Sequence, residues 1–565
     1  MFPIYVALGT GGPRCKGRQV SRLPRSIIPM SYRSLICLAA LAAAPLQASA
    51  QAPYTLTERV SIASGGVEAT GPSWRPSVSE DGRLIAYWSE AADLVPGDTN
   101  GVADVFVYSR ATGLTERISV GIGGTEANGA SSTPAISADG RYVAFRSAAT
   151  NLFFFLDTNG EDDIYLYDRQ TQVTERISED SLGFQVNGQS KEPGVSEDGR
   201  YVTFTSTSSN LVVGDANGAP DVFRKDRQTG AVELVSTNLS GAAGNGQSGT
   251  ATISPDGRFV GFESVATDLI VSDLNGFRDV FLRDMVTGSI ERVSESAPGV
   301  GPTGRSYVPV VARDGAYVAY QSVAADIFSG NTNMAFDIFR WQRSNHETLP
   351  ASTRTDGGLA DGLSYLPSIS ADGMFVAFQS LATNLTPGDT NGVYDIFMKD
   401  FTTGITEIAS TNVVGVTADL PSFQAALSGD GHFLFFSSQA SNLVAGDTNG
   451  VSDIFSYNLM TGGAEMTLSN VVANQTATVT VTDATPASSV IVGWSLFGMG
   501  PTPSPWGPIS LTPPIFALAL ATDGAGVGSL DFDLPSALLG FTLSVQGVDL
   551  TTDYPTTSDS EEIVL

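Results

Sequence analysis

Residues 94–106 read LVPGDTNGVADVF, and three of their side chains carry oxygen at short spacing around Gly101: Asp98, Asn100 and Asp104. Oxygens at the first, third and seventh positions of a loop suit a hard cation. Calcium takes roughly six to eight oxygens, so carbonyls and water would have to complete the shell. The triad recurs as Asp157, Asn159, Asp163; Asp215, Asn217, Asp221; Asp273, Asn275, Asp279; Asp389, Asn391, Asp395; and Asp447, Asn449, Asp453. One further copy has lost an acid and the glycine, and reads Asn331, Asn333, Met334, Asp337. An EF-hand loop needs more acids and a terminal Glu, which these loops lack. An architectural reading competes with calcium. Asp98 can form an Asx-turn, Asn100-Gly101 can take positive φ, and Asp104 can tie the loop to the next strand or meet the turn Arg of a neighbouring strand. If calcium binds in series, the Asn331 copy is the empty one.

Other chemistry is thinly supplied. The chain has two histidines, His346 and His432. His432 occupies a turn position that is Arg in four other places (Arg83, Arg141, Arg200, Arg258), and both histidines read as exposed turn residues. There is no Gly-x-Ser-x-Gly elbow, no Walker loop and no dinucleotide fingerprint opening a helix. Paired carboxylates can hydrolyse glycosides, but among 59 Asp and Glu pairing by chance is certain. Acids recurring at one position argue for architecture, since catalysis needs one site. No catalytic or cofactor-binding residue is assigned, and calcium is the one candidate ion.

The elements that must position these loops follow from a repeat. Asp81, Asp139, Asp198, Asp256, Asp314, Asp372 and Asp430 each precede Gly and recur every 58 or 59 residues. The surrounding text is SVSEDGRLIAY, AISADGRYVAF, GVSEDGRYVTF and their relatives, and the Asp-x-Asn-Gly stretch follows each time. Each unit predicts four short strands. The first ends at the Asp-Gly turn, which closes a hairpin cheaply. The second alternates with period two. The loop leads to a third, DIF-like strand, and a turn often carrying Thr-Gly leads to a fourth. Seven units of four antiparallel strands predict an all-β fold, a seven-bladed β-propeller over residues 54–463. YTLTERVS (54–61) matches the fourth strand GLTERIS (113–119) yet precedes the first unit. It is therefore expected to complete the last blade; AEMTLS (464–469) is the competing candidate.

The repeats resemble those of TolB-like, WD-repeat-like (PD-type) bacterial propeller proteins, on the PSISADGxFVAF and DIF elements at 367–378 and 395–397. The resemblance implies a propeller and envelope protein partners, and maps no partner-binding residue onto this chain. Propellers host scaffolds, binding proteins and enzymes alike, so function rests on sites. Residues 464–565 leave the repeat for Thr/Val strands between Pro- and Gly-rich turns, as in ATVTVTDATPASSVIVGWS. They predict a small β-sandwich and resemble the small C-terminal β-domain of exported bacterial repeat proteins.

At the other end, Met30 to Arg33, the apolar run LICLAALAAAPL (35–46) and small residues around Ala48 and Ala50 read as a secretory signal peptide, residues 30–50. Residues 1–29 read as a mis-called extension, with a long basic leader as the rival explanation. Both cysteines, Cys15 and Cys37, fall in the removed part, so the mature chain is expected to lack thiols and disulfides. The formal charge of −29 opposes nucleic acid and anionic membranes. No apolar run is long enough to span a bilayer.

The leading expectation is a periplasmic or secreted, non-enzymatic, monomeric scaffold that binds an unnamed protein or glycan on one rim or in the channel. One alternative is a carbohydrate-active hydrolase or lyase with acids gathered at the channel mouth. Another is a calcium-stabilised cell-surface protein. A channel lined by small and apolar residues favours the scaffold; three or more acids, or a His with a carboxylate, converging in one central pocket favour the enzyme.

Overall fold

The computed structural model describes residues 57–459, apart from loop positions 64, 65, 156, 272 and 332, and the backbone strands that lie between 465 and 564. The leader, the upstream extension and both cysteines lie outside the described residues.

Seven four-stranded antiparallel sheets follow one another. Blade 1 comprises Ser73–Val78, Leu84–Ser89, Asp104–Ser109 and Leu114–Arg117. Blades 2 to 6 repeat the plan, beginning at Ser131, Ser190, Ser248, Ser306 and Ser364. Blade 7 takes three strands, Ser422–Leu427, Phe433–Ser438 and Asp453–Asn458, from its own repeat. Its fourth is Thr57–Arg59, paired antiparallel with Phe455–Tyr457. The competing strand Glu465–Ser469 pairs with Thr476–Thr482 instead. Beyond the propeller the strands form a three-stranded sheet, a five-stranded sheet and a hairpin.

The middle two strands of each blade are buried on both faces, which is why they read as apolar runs with little alternation. Neighbouring blades share cores. Ala86, Val105 and Val107 of blade 1 pack on Val143, Phe145 and Tyr165 of blade 2. At the closure, Val60, Ile85, Tyr87 and Phe106 meet Phe435 and Ile454. Every blade stacks one aromatic pair across these strands, from Tyr87–Phe106 at 6.0 Å to Phe436–Phe455 at 6.0 Å. Each such pair adds about 0.5–1.5 kcal/mol beyond area burial.

Two polar devices recur. In the Asp-Gly turn, Ser79 Oγ donates to Asp81 Oδ1 (2.7 Å) and accepts the Leu84 N–H (3.0 Å). Gly82 there has φ 68°, and a Cβ on it would collide with the Phe433 ring of the neighbouring blade, so both conformation and contact demand glycine. The second device joins the third and fourth strands. Ser178 Oγ donates to Asp163 Oδ1 (2.6 Å) and accepts the Ile164 N–H (3.0 Å). All seven blades carry this bond, and in blade 7 the serine is Ser61 from the N-terminal strand, 2.5 Å from Asp453.

Candidate functional site: the acidic loops and the channel mouths

The Asp-x-Asn-Gly loops connect the second and third strands. Asn100 Oδ1 accepts the Val102 N–H (3.0 Å), which forms the Asx-turn, and Gly101 takes φ 68°. Asn100 Nδ2 donates to Asp104 Oδ2 (2.7 Å) and to the Ala127 carbonyl (3.1 Å). These bonds recur around Asn217, Asn275, Asn391 and Asn449; Asn333 keeps them with a longer reach of 3.4 Å to Asp337. Asn159 keeps the turn and the carbonyl contact to Val186.

The strongest contact of the acids was not legible from their spacing. Arg117 ends the fourth strand of blade 1, and its Nη1 lies 3.2 Å from Asp98, 3.6 Å from Asp104 and 2.8 Å from Glu126. In blade 7, Glu68, Asp447 and Asp453 converge as a metal site would, yet Arg59 Nη1 stands among them at 2.5, 3.4 and 3.6 Å. Arg292 does the same for Asp273 (3.3 Å) and Asp279 (3.8 Å). In blade 2, Arg176 pairs with Glu179 (3.1 Å), while Gln185 donates to Asp157 (2.5 Å) and Asp163 (3.2 Å). The turn arginines go elsewhere, contrary to the expectation that one meets Asp104. Arg141, Arg200 and Arg258 each clasp the aspartate ending the third strand, Asp168, Asp226 and Asp284, at 2.7 Å. The reason is register: Arg117 lies opposite Phe106, beside the loop, whereas Arg83 lies at the other end of the blade.

Electrostatics follow burial. Desolvation, with the Asp104 charge adding to it, pushes Asp98 up to about 6. The hydrogen bonds from Thr99 hold Glu126 down at about 2. Burial raises Asp163, Asp221, Asp279, Asp337 and Asp395 to about 6 as well. The Arg141 clasp holds Asp168 at about 2.

The first strands line the central channel. At the Asp-Gly end its wall is apolar, one residue per blade, as in Val78, Ile136 and Ile369. The ionic groups there are Glu80, Glu197 and Arg313, and Arg313 pairs with Glu80 and lies 3.8 Å from Glu197. Neither histidine lines the channel. His346 lies 3.7 Å from Glu295 and His432 lies 3.4 Å from Asp430.

The other end holds a ring of unusual backbone. Arg75, Thr133, Glu192, Thr250, Val308, Leu366 and Gln424, one in each first strand, have φ between 49° and 57°. Each sits at a bulge, such as that between Trp74 and Ser77. Five of their N–H groups reach the neighbouring blade, those of Arg75 and Thr250 and also Val308 to Glu263 Oε2 (3.0 Å), Leu366 to Gln321 Oε1 (2.9 Å) and Gln424 to Gln379 Oε1 (3.0 Å). Non-glycine residues in this region are strained, and such strain gathers at functional sites. The ring borders a space of about 240 Å3.

Beside it runs an arc of half-buried aromatic rings. Tyr307, Phe336, Tyr365, Tyr394, Phe423 and Trp74 touch in succession, at centroid distances of 5.9, 5.2, 6.4, 5.8 and 6.4 Å. They belong to blades 5, 6, 7 and 1. The corresponding positions in blades 2 to 4 are Ser132, Asp162, Lys191, Pro220, Gly249 and Arg278. One half of the mouth is aromatic and the other polar, with Arg146 bonded to Asp162 (2.7 Å) and Arg278 to Glu263 (3.0 Å). Sequence reasoning missed this arc because it aligned what recurs. Its signal was the second residue of each first strand: SWRPSV, SYVPVV, SYLPSI and SFQAAL against SSTPAI, SKEPGV and SGTATI.

No family model and no curated protein matches the chain. Solved structures do. A protein assigned as TolB from Agrobacterium tumefaciens is 16% identical, covering 69% of this chain and 91% of its own, with a TM-score of 0.31. The WD40 repeats of RRP9 are 10% identical over 71% and 99%, with a TM-score of 0.37. Prolyl oligopeptidase B from Galerina marginata is 9% identical over 81% and 62%, with a TM-score of 0.38. The fold itself is a succession of seven four-stranded antiparallel blades, closed by Thr57–Arg59. Among the described residues no helix is long and apolar enough to cross a membrane.

Proposed function

We propose that this protein is a non-enzymatic binding scaffold, exported by the leader at 30–50 to the periplasm or beyond, which captures a protein partner on the aromatic half of its channel mouth. The observation that carries this reading is the arc from Tyr307 to Trp74. It lies where the repeat departs from itself, and a contiguous half-exposed aromatic surface suits recognition. The channel wall is apolar, and Glu80 and Glu197 are engaged by Arg313 rather than converging on an open site.

The hydrolase reading rests on acids at the mouth, chiefly Glu192 and Glu263. Both accept N–H groups of bulge residues, Glu192 from Thr250 (2.9 Å) and Glu263 from Val308 (3.0 Å). Gln321 and Gln379 do the same work in the next blades, so a neutral amide suffices and the carboxylate is architectural. Capture from an envelope fraction tests the proposal. The wild-type chain is expected to retain a protein that Tyr365→Ala/Phe423→Ala loses, while the variant stays folded. Equal retention by both, or capture of glycan alone, would overturn it; turnover of a glycan panel would favour the hydrolase.

A further inference from the structure

We propose that blade 6 binds one calcium ion between Asp389 and Asp395, in the place that an arginine guanidinium takes in blades 1, 4 and 7. Register defines that place. Arg117, Arg292 and Arg59 lie opposite Phe106, Phe281 and Phe455. The residue opposite Phe397, the counterpart in blade 6, is Ile408. An isoleucine offers no charge and no donor, so the two aspartates keep their loop and lose their cation.

The same atom shows the loss. In blades 1, 4 and 7 the Oδ1 of the first aspartate lies 3.2, 3.3 and 3.4 Å from the guanidinium. Asp389 is only 6% exposed, and its Oδ1 is enclosed without a hydrogen-bond partner. Three residues earlier in the loop, Thr386 Oγ1 is enclosed without a partner too. The Asn391 N–H serves the Asp389 carboxylate, which leaves Oδ1 as the unsatisfied oxygen, and a buried carboxylate is held charged by pairing or by a metal. Asp395 contributes a second carboxylate: its Oδ1 accepts from Ser410 (2.6 Å) and its Oδ2 from Asn391 (2.6 Å), which leaves lone pairs on both oxygens. Burial, with the Asp389 charge adding to it, pushes Asp395 up to about 6, so an ion here would compete with a proton.

Donor chemistry selects the ion. Carboxylate, hydroxyl and carbonyl oxygens, with no His or Cys, suit calcium or magnesium; an irregular loop with two carboxylates suits the more adaptable calcium shell. Neighbouring blades bracket the proposal. Blade 3 has the same pair, Asp215 and Asp221, under Leu234, but Asp215 is half-open to solvent. Blade 5 replaces the first acid by Asn331 and the arginine position by Pro350, leaving one carboxylate.

The test uses the mature full-length chain with calcium as the only added metal. Calcium is expected to raise the melting midpoint and chelator to reverse the rise, and calorimetry to count one site. Asp389→Asn, which is nearly isosteric, should weaken binding by at least about ten-fold, since it halves the carboxylate count. Ile408→Arg should abolish the calcium response by restoring an internal cation, without lowering the calcium-free midpoint. A midpoint indifferent to calcium overturns the proposal. So does a rise that survives both substitutions, or one lost in Asp215→Asn but kept in Asp389→Asn.

Discussion

Blades 1 and 6 share nearly every bond of the acidic loop and differ in what neutralises it. Both have the Asx-turn, the amide contact from Asn100 or Asn391, and the buried Asp–Ser bond. Blade 1 adds Arg117 and Glu126; blade 6 has Ile408 and, at the place of Glu126, Thr417. The repeat thus holds its backbone-satisfying bonds fixed, because each blade folds by them, and lets the charge balance vary, because one cation can stand in for another.

The sharpest way to break this comparison is to turn blade 1 into blade 6. Arg117→Ile leaves the enclosed Asp98 and Asp104 without their cation, and losing one partner of a buried ion pair costs about 3–5 kcal/mol. Chemical denaturation should show that loss, and calcium should recover part of it by occupying a newly made three-carboxylate site. If the variant is as stable as wild type, the guanidinium has no such role.

Acidity probes all blades together. Asp163, Asp221, Asp279, Asp337 and Asp395 are held near about 6 in the folded chain against a usual 3.8. The folded state therefore binds more protons between those values, and stability falls as pH rises through that window. Asp168 and Asp226 sit at about 2, and their stabilisation is lost as pH falls below their usual value. Calcium-free melting midpoints should peak at about pH 4–5 by this linkage, with calcium flattening the decline toward neutrality. A midpoint that climbs steadily from pH 5 to 7 without calcium contradicts the burial of these acids.

The reverse conversion is smaller. In calcium-free buffer, Ile408→Arg should stabilise blade 6 by about 1 kcal/mol, the gain from pairing two acids offset by ordering a long side chain. Smallest of all is Met374→Arg. It places a guanidinium one residue before Phe375, which lies opposite Asp400, as Arg141 precedes Tyr142, which lies opposite Asp168. The expected gain is about 0.2–1 kcal/mol, typical of an exposed pair. A clear loss would show that Arg340, which contacts the Met374 sulfur, needs the thioether.

Sequence reasoning reached the blades because a period of 58 or 59 residues is visible without any knowledge of contacts, and it reached the closure because YTLTERVS copies GLTERIS. It gave the Asx-turn to Asp98, whereas Asn100 accepts the Val102 N–H, two residues on, and Asp98 faces Arg117 instead. Arg117 escaped because its partners are set by strand register, and the arginine in TERI is silent about which loop it faces. For the same reason the Asn331 copy looked like the one exception, whereas the guanidinium is missing opposite Phe223, Phe339 and Phe397 alike. The aromatic arc escaped for the opposite reason: it is carried by positions that do not repeat.

The shared blade has a kinetic consequence. Thr57–Arg59 leaves the ribosome before every other blade strand and finds its partner last, since Ser61 and Asp453 stand 392 residues apart. Loop closure over such a distance is slow relative to local hairpins. Until it happens, six blades can be complete while Asp453–Asn458 presents a bare edge. An open edge accepts any matching strand, and a second molecule carries one at its own N-terminus. Refolding at high concentration should therefore yield dimers that have traded first strands, each ring closed by the other's chain.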